Sequence, residues 1–143
     1  MEMHIGKEII ILSTRIKRTM RAASESMGLT DTQSRVLQYI WEQSRYREVF
    51  QKDIEDEFGI RRSSVTQIIQ LMERDGLIVR ESVQRDARLK KLSLTKKADQ
   101  IQKTMQGKIW EMEAKLEENI SPEEKEILLN LLHRISKNLA EEK

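Results

Sequence analysis

The sequence predicts a mainly α chain: four helices, a two-stranded hairpin, then two more helices. Three observations predict it. Of 143 residues, 35% are charged, 4% are aromatic and one is proline, a composition suited to long solvated helices. Apolar residues recur every three or four positions through most of the chain. Between Leu77 and Leu94 that period gives way to alternation, as a strand pair requires.

The first helix is written by Ile5, Ile9, Leu12, Ile16, Met20, Ala23 and Met27, one apolar stripe, with Gly28 placed to end it. Thr30 and Gln33 make a capping box for a second helix that buries Val36, Leu37, Ile40 and Trp41. A short extended piece around Val49 leads into a brief helix at 51–58, which buries Ile54 and Phe58 and stops at Gly59. A fourth helix starts near Arg62, turns Val65, Ile68, Ile69 and Met72 inward, and closes at Gly76. Leu77 to Val83 forms a strand, 84–88 a polar tip, and Leu89 to Leu94 the returning strand with Leu92 and Leu94 inward. Thr95 caps a helix striped by Ala98, Ile101, Met105, Ile109, Met112 and Leu116, about 35 Å long. Ser121-Pro122-Glu123-Glu124 opens the last helix, striped by Leu128, Leu131, Leu132, Ile135 and Leu139.

The end helices are too elongated for so small a monomer to bury. A twofold homodimer is the economical solution, with Ile5, Ile9, Leu12, Met112, Leu116, Leu128, Leu131, Leu132, Ile135 and Leu139 at its interface. A monomeric bundle of the terminal helices is the alternative. The expected organisation is a dimerisation helix over 1–29, a helix-and-hairpin domain over 30–97, and a linker helix with a C-terminal dimerisation helix over 98–143.

Composition excludes several functions. Without cysteine there is no disulfide, thiolate nucleophile or zinc–thiolate site. Asn130 stands where a Glu-x-x-His motif ending at His133 needs glutamate, and His4 lies far away. No glycine-rich phosphate loop occurs. The sequence therefore reads as no enzyme, with no metal and no cofactor. The longest apolar run near the N-terminus is Ile9 to Leu12, too short for a signal peptide or membrane span, so the expected location is the cytoplasm, with no membrane partner.

The net charge of +2 hides an asymmetry. Residues 59–97 hold 10 basic and 4 acidic side chains, net +6, whereas 1–58 carry −1 and 98–143 carry −3. The helix pair around Gly59-Ile60 is a helix-turn-helix whose second helix presents Ser63, Ser64, Thr66, Gln67 and Gln70. These side chains donate to and accept from base edges in a major groove. Arg61, Arg62 and Arg74 flank them, suited to phosphates. Singly, such residues are ordinary helix surface; with the basic hairpin they point to double-stranded DNA. The hairpin adds Arg85, Arg88, Lys90 and Lys91, a wing able to enter a minor groove, with Asp86 pairing a neighbouring arginine to hold its shape. A dimeric helical adaptor that binds an acidic protein through the basic hairpin is the alternative.

Three runs carry a resemblance: Gln51-Lys52-Asp53-Ile54-Glu55, Met72-Glu73-Arg74-Asp75-Gly76-Leu77-Ile78, and Asp86-Ala87-Arg88-Leu89-Lys90-Lys91-Leu92-Ser93-Leu94-Thr95. With Leu29-Thr30, Gln33 and Val36-Leu37 upstream, they resemble the MarR family of winged helix-turn-helix transcription regulators. The similarity spans about residues 29–97. Asp31 replaces a frequent proline, Arg61 a frequent N-cap serine, and Ala98 a frequent glycine. The resemblance implies a homodimeric regulator on a palindromic operator, most simply a repressor, with Arg88 in the minor groove. It also implies a small aromatic ligand between the DNA-binding and dimer regions. Met20, Ile40, Trp41, Met105 and Ile109 are candidates for that pocket, with plain core packing the alternative for each.

Overall fold

A computed structural model describes residues 2–140. It contains six helices and three short strands: α1 (Ile5–Ser26), α2 (Asp31–Gln43), β1 (Val49–Phe50), α3 (Gln51–Phe58), α4 (Arg62–Arg74), β2 (Ile78–Val83), β3 (Asp86–Leu94), α5 (Lys96–Leu116) and α6 (Pro122–Ala140). The chain forms two compact units, one up to Lys108 and one from Ile109 onward.

Local chemistry sets most boundaries. α1 ends in a Schellman turn: Gly28 adopts φ +77°, its N–H donates to Glu25 and the Leu29 N–H to Ser24. At the start of α2, the Gln33 N–H donates to Thr30 Oγ1 and the Thr30 N–H to Gln33 Oε1, both at 3.1 Å. The Phe50 N–H donates to Asp53 at 2.8 Å as α3 begins, and Gly59 at φ +60° ends it. Thr95 receives the Ala98 N–H while its hydroxyl donates to the Gly76 carbonyl, so one residue caps α5 and ties it to the end of α4. Ser121 and Glu124 reciprocate at the start of α6.

In the first unit the sheet has the order β1-β3-β2, antiparallel throughout. Its core comprises Val36, Leu37 and Ile40 of α2, Ile54 of α3, Val65, Ile69 and Met72 of α4, and Val49, Ile78 and Leu92 of the strands, with Ala98 from α5. Three residues expected inside are only half-buried: Trp41, Phe58 and Ile68. Trp41 and Ile68 lie at the margin of their helices' inner faces, and Phe58 is the last residue of α3. Phe58 instead meets the edge of Tyr39, centroids 5.9 Å apart, beneath the Arg35 guanidinium.

The hairpin differs from expectation in two ways. Val49 and Phe50 pair with Leu92 and Lys91, adding a third strand. The tip is also shorter than 84–88, because β3 begins at Asp86 opposite Val83. Ser82 pairs with Lys90, so Ala87, Arg88 and Leu89 are looped out between the two paired positions.

In the second unit, the end of α5 passes through Asn119 at φ +62°, a conformation asparagine tolerates, into α6. Lys125 forms an ion pair with Glu117 across this turn. No residue of α6 is buried. Among the described residues no helix is long and apolar enough to cross a membrane.

Replacing Ile69, wholly buried on α4, by alanine is expected to destabilise the fold by about 2–5 kcal/mol. Urea unfolding followed by far-UV circular dichroism measures this, and a loss below 1 kcal/mol would mean the site collapses around the cavity.

Candidate nucleic-acid interface

α4 builds the centre of the site because its two faces differ so sharply. Val65, Ile69 and Met72 are wholly buried. On the opposite side Ser63, Gln67, Gln70 and Arg74, spaced four, three and four, form one exposed row. Ser64 and Thr66 lie on the two flanks of that row. Arg61 and Arg62 are exposed at the N-terminal end, where the helix dipole adds to their positive charge. Arg61, the N-cap residue, offers no side-chain cap. Arg74 remains largely exposed beside Asp75 at 3.7 Å.

The Thr66 hydroxyl already has two protein partners. Its hydroxyl donates to the Arg62 carbonyl at 2.8 Å and accepts from the buried Gln51 amide at 2.7 Å.

The wing carries the second part. Asp86 accepts the Arg88 backbone N–H at 2.9 Å and the Arg88 Nε at 3.2 Å. These hydrogen bonds, backbone first, hold the Asp86 carboxyl below the ordinary aspartate range. The Arg88 side chain is nevertheless 90% exposed, projecting from the looped-out segment. Lys90 donates to Ser82 at 2.7 Å, and Lys91 lies 3.9 Å from Glu48.

Arg85 does not project with Arg88. Its guanidinium donates to Glu48 at 2.8 Å and stacks 5.5 Å from the Phe50 ring centroid, which turns it back onto the β1 edge. That contact is the main reason the Glu48 carboxyl is held low.

Between α3, α4 and the wing lies a cleft of about 680 Å³ whose walls include Arg62, Thr66, Asp86, Arg88 and Lys90. Arg80 and Lys52 share it, and neither was expected at the site from the sequence. Arg80 follows Ile78 by two residues, so it shares the inward face of β2, which makes a charge there conspicuous. Lys52 carried no distinguishing signal.

Of the residues expected around a ligand, Ile40 is wholly buried in the core, Met105 is nearly so, and Met20 and Ile109 are half-buried on α1 and α5. Trp41 does line a cavity of about 730 Å³, shared with Arg45, Asp99 and Lys103 rather than with those four. Its indole N–H donates to Asp99 at 3.2 Å, and the Arg45 guanidinium lies 3.8 Å from its ring centroid.

Of the residues expected at a dimer interface, Ile5, Leu12, Leu116, Leu128, Leu131, Leu132 and Leu139 are exposed in the single chain, while Ile9, Met112 and Ile135 are half-buried. Ile10, Trp110, Ile127 and Leu129 are further exposed apolar side chains outside the expected set.

Comparison with known proteins places this geometry. The MarR family model matches residues 27–89. MepR, a transcription regulator of the Staphylococcus aureus multidrug efflux pump MepA, superposes with a TM-score of 0.85 at 22% identity, over 96% of this chain and 99% of that one. The S. aureus MepR–DNA complex gives 0.74 at 24% identity, over 90% and 95%. The transcription regulator MarR from Oenococcus oeni PSU-1 gives 0.63 at 28% identity, over 94% and 99%. The shared fold is the winged helix of transcription regulators.

The lowered Asp86 predicts a pH dependence. A carboxylate depressed in the folded wing stabilises it fully above the ordinary value of 3.8, and the contribution is lost as pH falls through the lower folded value. An NMR titration of the Arg88 amide should therefore give a midpoint below 3.8. A midpoint at or above that value would show that Asp86 does not hold Arg88.

Proposed function

We propose that this chain, whose residues 27–89 match the MarR family model, is a sequence-specific regulator acting as a homodimer on a palindromic operator. It represses by occupying promoter DNA. The observation that carries this reading is the exposed row of Ser63, Gln67, Gln70 and Arg74 on a helix whose other face is locked in the core. Glutamine pairs bidentately with adenine, serine serves either kind of base edge, and arginine serves guanine or phosphate. Arg88, 90% exposed on the wing and steadied by Asp86, has the charge for a narrow minor groove. That MepR has been captured with DNA supports the same use of this fold.

Dimerisation would bury the apolar faces of α1 and α6. Two recognition helices related by a twofold axis would then meet half-sites about 10 base pairs apart. Control by a small aromatic ligand would act through that spacing: a ligand favouring the wrong separation lowers DNA affinity by the same coupling free energy with which DNA expels it. The Trp41 cavity, with its stacked guanidinium, is the place in this chain to look for such a ligand.

Selection of bound sequences from a random duplex pool at near-physiological salt suppresses purely electrostatic binding. A palindrome with half-sites one helical turn apart is the expected product, and binding that vanishes with salt and yields no motif would sink the proposal. On that operator Arg88→Ala should weaken binding by about 1–3 kcal/mol without altering unfolding. Replacing both Leu128 and Leu132 by glutamate should convert the dimer to a monomer in sedimentation velocity; a persisting dimer would place the interface elsewhere.

A further inference from the structure

We propose that Gln51 is a positioning residue for the recognition helix α4, and that the Thr66 hydroxyl serves this clasp instead of reading a base. The proposal rests on the DNA-binding reading above and refines it at one position.

The hydrogen-bond inventory of Thr66 carries the argument. A hydroxyl has one proton to donate and two lone pairs to accept with. The Thr66 proton is committed to the Arg62 carbonyl at 2.8 Å, and one lone pair takes the Gln51 Nε2 proton at 2.7 Å. A base acceptor would have to displace the Arg62 carbonyl, and a base donor would find only the second lone pair, beside the Gln51 amide. Gln51 is 9% exposed, so its amide cannot turn to water without leaving a polar group unpaired.

The placement of this contact explains its use. Gln51 opens α3 and Thr66 lies one turn into α4, with the Gly59 turn between them. The Gly59 and Ile60 N–H groups donate to the Glu55 carbonyl, which closes α3 but does not reach α4. Ile54 packing against Val65 and Ile69 holds the helices together, but apolar contact has no direction. A hydrogen bond does, and Thr66 stands on the flank of α4, where it resists a roll of the helix about its own axis. A roll of about 20° would carry side-chain tips some 6 Å from the axis through roughly 2 Å. That is enough to break contacts that tolerate only a few tenths of an ångström. Gln67 follows Thr66 directly, and Gln70 lies one turn further on.

The test compares Thr66→Val, Gln51→Leu, the double variant and Thr66→Ser on the duplex recovered by selection and on single-base-pair variants of it. Each of the first two should bind about five- to tenfold more weakly. The double should bind no more weakly than either single, Thr66→Ser should restore binding, and the loss should spread over every position of the half-site. A loss confined to one base pair in Thr66→Val, with Gln51→Leu unaffected, would overturn the proposal and return Thr66 to base reading. The clasp is also visible without DNA. The Gln51 side-chain amide protons should exchange slowly in the native protein and in Thr66→Ser, and quickly in Thr66→Val. Fast exchange in the native protein overturns the proposal, even where a failed selection has already removed the DNA-binding reading.

Discussion

The rotation of α4 about its axis is the constraint on which the rest of this molecule depends. Val65, Ile69 and Met72 are sealed into a core built with Ile54, Leu92 and Ile78, and this sets which side chains point outward. Burial of three such side chains contributes several kcal/mol, far more than any single surface contact. The exposed row of Ser63, Gln67, Gln70 and Arg74 is the geometric complement of that burial. Gln51 adds one directional contact to the orientation that the core sets.

Electrostatics then divides the wing's cations among different tasks. Arg85 and Arg88 stand three residues apart and carry the same charge, yet they do different work. Glu48 and the Phe50 ring draw Arg85 back to the sheet, where it braces the hairpin against β1. Asp86 holds both the Arg88 backbone N–H and its guanidinium Nε, yet the Arg88 side chain stays 90% exposed. Exposed ion pairs contribute little to global stability. Their effect here is to order a short hairpin whose strand pairing is interrupted by a looped-out segment.

The α1 and α6 helices obey a different logic. Ile5 is 66% exposed and Leu139 69%, and α6 buries nothing. Apolar side chains on α6 extend beyond the expected stripe through Ile127 and Leu129, which widens the face to about half the helix circumference. Exposed apolar surface on this scale normally marks an interaction site. The proposed twofold partner accounts for it, and would give the DNA-reading unit its second copy.

The sequence by itself determined several features whose partners lie within four residues. The boxes at Thr30–Gln33 and Ser121–Glu124, the Schellman turn at Gly28 and the exact span of α3 were legible for that reason, as were the inward faces of α2 and α4. Tertiary structure alone decided the features whose partners are distant in the chain. Two residues at Val49–Phe50 become a strand only because Leu92 and Lys91 supply its hydrogen bonds. Arg85 turns away from the wing surface because Glu48 lies 37 residues earlier, and the Thr66 hydroxyl is diverted by Gln51, 15 residues before it. Periodicity assigns a residue to a face, but it cannot say which group the opposite element will bring there.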